Sequence, residues 1–393
     1  MLINRLFVGT AKYSAIILLF TSALLGQNGS VDSDLVAHEW GTFTSIAGNS
    51  GRAVEWLPLN SPGVVNELPN FVERQWTSLK AALPATIRME TPVLYFYSRQ
   101  PVTLDVRVRF AQGIITEWYP HAAAPAGQAA YEQVRRYSQR DTAGSIAWVV
   151  TLQPGSHASL ARDTADDGNR YYSARDTSST PLRAGGVKGG QYEKFLFYRG
   201  VSLYSVPLTA RFTAEGKLAV GSTLTDAIPN VIWFRRRGDQ VGYRIGGEFT
   251  GQTVMDPPEM TSTIDALRGD LEEMLVSHGL FREEAHAMIQ TWRDSWFEEG
   301  SRLFYIVPPS FVNTILPLSI APAPAEMTRV FVGRLELISP DTKKAVAAAL
   351  SAKNDAALEK YGRFLQPILD SLKESTASTS GPKLPGTGIT QPK

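Results

Sequence analysis

Residues 102–110 read VTLDVRVRF, with Val102, Leu104, Val106, Val108 and Phe110 alternating with Thr103, Asp105, Arg107 and Arg109. Side chains on a strand point alternately to its two faces, whereas a helix would scatter these apolar groups around its circumference. The segment is therefore a half-buried strand, and it needs a sheet and an apolar layer to cover it. Ala111-Gln112-Gly113 reads as a turn, so residues 114–119 are expected to return as its hairpin partner. Further strands are expected at 92–97, 146–152, 195–199 and 208–212. A second hairpin, 231–236 with 241–245, folds around Gly238-Asp239. Many short strands with turn signals between them predict a mainly β chain, with an antiparallel β-sandwich-like body over residues 36–258. The Asp-, Arg-, Ser- and Gly-rich stretch 155–190 lacks apolar periodicity and reads as a surface excursion.

Helical spacing begins after residue 260. Ser262-Thr263-Ile264-Asp265 has the spacing of a helix cap, and Ile264, Leu267, Leu271, Met274 and Leu275 form one stripe, with Gly279 as a stop. Ala285, Met288, Ile289, Trp292 and Trp296 form a second stripe. Strands return at 303–307 and 329–338. In the latter, Val330 and Val332 take one phase and Leu335 and Leu337 the other, which predicts a β-bulge at Gly333. Ser339-Pro340 starts a helix, Asn354 breaks it and Pro367 bends its continuation. An isolated two-stranded ribbon is marginal in water, so residues 259–373 are expected to be an α+β portion packed on the body.

The ends differ in kind from this. Arg5 and Lys12 precede an apolar run from Tyr13 to Leu25, shorter than the roughly 20 residues of a membrane span. Residues 1–26 read as a cleaved signal peptide, and the protein as exported, periplasmic or extracellular. Membrane attachment follows only if that segment stays uncleaved. Residues 374–393 are almost entirely Ser, Thr, Gly, Pro and Lys and read as a disordered tail. Leu384-Pro385-Gly386-Thr387-Gly388 matches a sortase pentapeptide, but no apolar span follows it, so it reads as coincidence.

With 39 basic and 38 acidic residues the chain is close to neutral, which argues against a nucleic-acid partner. Phosphate-loop and dinucleotide glycine patterns are absent, so no nucleotide partner or cofactor is expected. There is no cysteine and there are five histidines, and no metal site is expected. Glu283-x-x-His286 occurs once, where di-iron carboxylate proteins use two such pairs, and reads as a solvated helix face. Asp163-x-x-Asp166-Asp167-Gly168-Asn169 has a calcium-loop composition but the wrong register. Arg237-Gly238-Asp239 is plain turn chemistry at a hairpin tip.

Two clusters combine titratable groups with large aromatics at strand ends: His38-Glu39-Trp40 and Glu117-Trp118-Tyr119-Pro120-His121. If one cleft gathered them, His38, Glu39, Glu117 and His121 would offer two carboxylates and two imidazoles beside aromatic walls. That is the equipment of glycoside hydrolysis.

The segments His38-Glu39-Trp40-Gly41-Thr42-Phe43-Thr44, Arg88-Met89-Glu90-Thr91-Pro92-Val93, Thr116-Glu117-Trp118-Tyr119-Pro120 and Glu193-Lys194-Phe195-Leu196-Phe197-Tyr198-Arg199-Gly200 resemble a group of exported bacterial proteins with no assigned activity. The resemblance implies export and brings no catalytic residues. Two functions are expected. The first is a non-catalytic binding or cell-envelope-associated module for an envelope carbohydrate or protein. The alternative is a carboxylate-dependent hydrolase of an envelope polysaccharide.

Overall fold

The computed structural model describes residues 32–60, 67–75, 80–123, 136–137, 142–185 and 189–379. The expected signal segment and the pentapeptide lie outside them. The described strands are β1 (Asp32–Ala47), β2 (Glu73–Arg74), β3 (Ile87–Tyr97), β4 (Thr103–Ala111), β5 (Gly113–Tyr119) and β6 (Ala143–Leu152). They continue with β7 (Leu182–Ala184), β8 (Gln191–Glu193), β9 (Phe195–Ser202), β10 (Leu208–Phe212), β11 (Leu218–Ser222) and β12 (Ile232–Arg237). The last are β13 (Gln240–Ile245), β14 (Gln252–Met255), β15 (Gly300–Ile306), β16 (Leu318–Ala321) and β17 (Pro324–Leu337). The helices are α1 (Ile264–Ser277), α2 (Arg282–Trp292), α3 (Pro309–Ile315), α4 (Pro340–Ser351), α5 (Asp355–Glu359) and α6 (Leu365–Thr379).

The chain is mainly β, with antiparallel sheets and a helical C-terminal portion. A nine-stranded sheet runs β13-β12-β15-β17-β1-β3-β9-β5-β2. A five-stranded sheet, β16-β4-β6-β7-β8, and a three-stranded sheet, β10-β11-β14, face it. The pairs are antiparallel except β1 with β17, which is parallel. The strands after residue 300 are not an appendage: β17 lies between β15 and β1 in the middle of the largest sheet.

Between the sheets, Leu104, Val106, Val108 and Phe110 of β4 pack with residues such as Phe43, Leu94, Tyr198 and Phe331. The opposite face of the nine-stranded sheet is covered by α1 and α2. There Trp40, Tyr95, Phe304 and Val332 meet Leu271, Met288 and Trp296. A sheet covered on both faces buries every position of its inner strands, and β5 and β9 are buried along their whole length. β4, at the solvent-facing sheet, keeps its alternation.

Four expectations are corrected. First, β5 does not pair with β4. β4 pairs with β6 and β16, while β5 pairs with β9 and β2, because the chain crosses from one layer to the other at Gln112, whose φ is +49°. The β12–β13 hairpin forms as expected, Arg237 opposite Gln240. Second, Gly333 is not a bulge. Register runs unbroken from Val332 opposite Thr42 to Arg334 opposite Thr44. The apparent phase change arises because Val330 and Val332 pack on the helix side and Phe331, Leu335 and Leu337 on the sandwich side. Third, residues 155–190 are not a plain surface excursion. The 3-10 turn Arg170–Arg175 buries Tyr171 and Ala174 against the helix-covered face, and Arg175 binds the buried Glu193 at 2.6 Å. Fourth, α6 continues to Thr379, beyond Glu374, where the polar tail was expected to start. Asn354 does end the previous run: it caps α5, accepting from the Ala357 N–H at 3.1 Å.

Candidate functional site

The four sequence candidates are not brought together. His38 and Glu39 are consecutive on β1 and so point to opposite faces. The buried His38 Nδ1 lies 2.8 Å from Glu284 Oε2 of α2, and the ring packs on Phe281, centroids 4.5 Å apart. Tyr97 donates to the other Glu284 oxygen at 2.6 Å. Glu39 is buried on the sandwich side, accepting from Tyr198 and from Arg329 Nε at 2.6 Å. Glu117 is buried too, bound by Arg199 at 3.2 Å and by Lys80. Tyr198 and Arg199 are neighbours on β9, so the partners of Glu39 and Glu117 lie on opposite faces. Two strands, β3 and β9, also stand between β1 and β5, a separation of about 14 Å. His121 is part-exposed and pairs with Glu73 at 2.8 Å, which also accepts from Trp118 Nε1. The two-carboxylate cleft therefore does not form. The reason is burial: a carboxylate inside a doubly covered sheet must be neutralised where it stands.

Of the remaining candidates, His286 is exposed, 3.2 Å from Glu272. Among the described residues no cluster of three His, Asp or Glu side chains is arranged around a common point.

Glu117 belongs to a larger arrangement. Across the helix-side face of the nine-stranded sheet runs a row of charges: Arg302 on β15, Arg334 and Glu336 on β17, Arg88 and Glu90 on β3, Arg199 on β9 and Glu117 on β5. Arg302 forks onto Glu336 at 3.0 and 3.2 Å and donates to the carbonyls of Trp296, Glu298 and Glu299. Arg88 and Arg199 share Glu67 at 2.8 and 2.9 Å. Arg363, arriving from the C-terminal segment, binds Glu90 at 2.7 Å. Burial alone would raise the Glu90 carboxyl, but Arg363, Arg88 and Arg334 together hold it below the ordinary carboxylate value. The same opposition holds Glu67 well below that value, with Arg88, Arg199 and Arg170 the main cations. Burial pushes the Arg88 guanidinium down to about 10. This row is closed to solvent and is built like an internal ion-pair seam, not like a catalytic cleft.

An open concavity lies elsewhere. A groove of about 690 Å³ lies between the β12–β13 hairpin and α4, with Gly300 and Ser301 in its lining. Arg235, Arg236, Arg237, Lys344 and Lys360 line it against two acids, Glu299 and Asp341. Arg235 and Arg237, two apart on β12, both reach Asp341, Arg235 at 3.5 Å. Arg236 also donates to the Phe297 carbonyl at 2.8 Å. Lys360 pairs with Glu299 at 2.8 Å and lies 5.1 Å from the Tyr361 ring centroid. The three successive arginines were the readable signal, and sequence reasoning weighed only their last member, as part of a turn tripeptide. Guanidinium forks on a rigid strand suit bidentate binding of carboxylate, sulfate or phosphate groups.

No family model and no curated protein matches the chain. Among solved structures it is similar to the Mu homology domain of Fcho1 from Danio rerio with a bound Eps15 peptide. That likeness has 6% identity and a TM-score of 0.31, over 79% of this chain and 98% of that one, and carries no argument.

Proposed function

We propose that the protein is an exported, non-catalytic binding module, and that the groove between β12–β13 and α4 takes an anionic envelope polysaccharide. The observation that carries this reading is the lining: five basic side chains against two acidic ones in an open concavity, on a chain that is nearly neutral as a whole. A local excess of one sign in a concave surface concentrates ligands of the other sign. The Tyr361 ring beside Lys360 adds a flat face on which a sugar can stack. The export reading is supported by the N-terminal basic head and apolar run, and by the resemblance carried by the HEWGTFT, TEWYP and EKFLFYRG segments.

The test is equilibrium binding of the mature protein to acidic and neutral polysaccharides of matched length. Acidic polymers should bind, more weakly as salt rises, and Arg235→Ser with Arg237→Ser should reduce binding at least tenfold without lowering the unfolding temperature. Equal binding to neutral polymers, or none to either, refutes the reading. Intact mass of the extracytoplasmic form checks export, since a mass retaining residues 1–26 identifies a membrane-anchored protein instead.

A further inference from the structure

The centre of the buried seam draws half of its negative charge from the rim. Four guanidiniums meet there, those of Arg88, Arg302, Arg334 and Arg363. Two of the carboxylates that answer them, Glu90 and Glu336, are themselves buried. The other two, Glu67 and Glu298, sit at the rim, 20% and 42% exposed.

Hydrogen bonding shows the same imbalance. Among the described residues, Arg334 Nε and Nη1, Arg363 Nη2 and the hydroxyls of Thr42 and Thr44 are buried without a hydrogen-bond partner, and Arg88 Nε has only an ion-pair contact, 3.3 Å from Glu90 Oε1. Two acceptors in the seam are in the same condition, Glu90 Oε2 and, at the far end against Lys80, Glu117 Oε1. Thr42 stands opposite Glu90 in the β1–β3 register, so that hydroxyl and that oxygen can answer each other. What is left is an excess of donors. They are close to one another by construction: Thr44 stands opposite Arg334 on one side and Arg88 on the other. The Arg334 and Arg363 guanidiniums lie 5.1 and 5.0 Å from the centroid of one ring, Phe364.

A buried guanidinium N–H without an acceptor is unfavourable, the more so where part of its counter-charge lies at the solvent-facing rim. Water can accept these hydrogen bonds; an anion accepts them and also brings to the centre negative charge that Glu67 and Glu298 supply only from the rim. We infer that the seam holds one buried monovalent anion of halide size, chloride under ordinary conditions, bound by Thr44, Arg334 and Arg363 with Arg88 alongside. A spherical ion suits donors that converge from three strands and a covering segment, since it accepts from any direction. Glu90 stands against it, and the two guanidiniums on that carboxylate, Arg363 and Arg88, offset the repulsion. Arg363 comes from the C-terminal segment, whereas Thr44, Arg88 and Arg334 belong to the sheet, so the ion fastens that segment to the seam.

Two measurements on the full chain test this. The first is unfolding temperature at constant ionic strength as gluconate is replaced by chloride or bromide. A ligand bound only by the folded state raises stability with the logarithm of its concentration above Kd. The expected result is a halide-specific rise that Thr44→Val reduces and Arg363→Met abolishes. Thr44→Val removes one hydroxyl with little change of shape, so it serves if Arg363→Met does not fold. The second is anomalous diffraction from crystals grown in bromide, with a peak expected among Thr44, Arg334 and Arg363. Identical unfolding temperatures in gluconate and halide, or density there without anomalous signal, overturn the inference. An undiminished halide response in Thr44→Val refutes the placement.

Discussion

Replacing Gly333 by alanine probes the register that puts β17 in the centre of the sheet. A Cβ at Gly333 would lie 2.1 Å from Cζ of Tyr305, which stands opposite it on β15. Ordinary contact begins near 3.4 Å, so the ring or the strand must yield by more than an ångström. Neither has room: Tyr305 is 3% exposed, and β15 is held between β12 and β17. Overpacking of this kind costs about 1–3 kcal/mol. Relief of glycine's backbone entropy returns roughly 0.5–1 kcal/mol, so the net loss should be about 1–2 kcal/mol. Tyr305→Ala alone should cost about 3–5 kcal/mol through the cavity it leaves. In that background the new methyl enters vacated space, and Gly333→Ala should become neutral or mildly stabilising. The coupling in the cycle is then about 1–3 kcal/mol. Equilibrium urea unfolding followed by tryptophan fluorescence measures all four proteins. Equal cost of Gly333→Ala in both backgrounds would mean that the ring does not lie across this glycine, and the β15–β17 register would be refuted.

Gly200→Ala should be more damaging, because its Cβ would lie 2.1 Å from the backbone oxygen of Ile114, which cannot rotate away; an unfolding midpoint within error of wild type refutes the β5–β9 packing. Glu284→Ala removes the acceptor shared by His38, Tyr97 and the Phe281 N–H, and should cost about 3 kcal/mol or more. Hydrogen exchange should quicken across α2; unchanged protection there contradicts the bonding. The depressed Glu90 carboxyl gives a pH signature. Its contribution is fully present above the unfolded value of 4.5 and is lost as pH falls toward the lower folded value. Stability should therefore fall on acidification below about pH 4.5, and Glu90→Gln should flatten that fall. Glu193, whose carboxyl is raised by burial against the opposing Arg175, works in the reverse sense above pH 4.5: it adds stability as pH falls through its raised folded value toward 4.5, and Glu193→Gln should remove that gain. Slopes unchanged in both variants refute the assignment.

Legibility followed the number of covered faces. β4 borders solvent on one side, so its alternation could be read directly, and so could the β12–β13 hairpin and the stripes of α1 and α2. β3, β5, β9 and the second half of β17, from Val330 on, are buried on both sides, which erases the period-two signal that would have told which strand pairs with which. The parallel pairing of β17 with β1 joins Thr44 to Arg334 with no local mark in the sequence. For the same reason the candidate site was misread. His38-Glu39 and Glu117-Trp118 looked like polar groups beside aromatic walls because burial places both kinds of residue on consecutive positions of one strand.

The arginines that neutralise those carboxylates, Arg329 and Arg199, are single residues far away in sequence, and which carboxylate each one meets is fixed only when the sheet assembles. The segments that carry the family resemblance turn out to be parts of β1, β3, β5 and β9, four neighbouring strands. They supply Thr42, Thr44 and four of the seven charges in the row, Arg88, Glu90, Glu117 and Arg199. What those segments specify is therefore a way of ion-pairing the interior of a sheet covered on both faces. The open groove draws on none of them: its arginines come from β12 and its lysines from the C-terminal helices. Groove and seam are thus separable in this chain, and substitutions at Arg235 and Arg237 are expected to leave the seam intact.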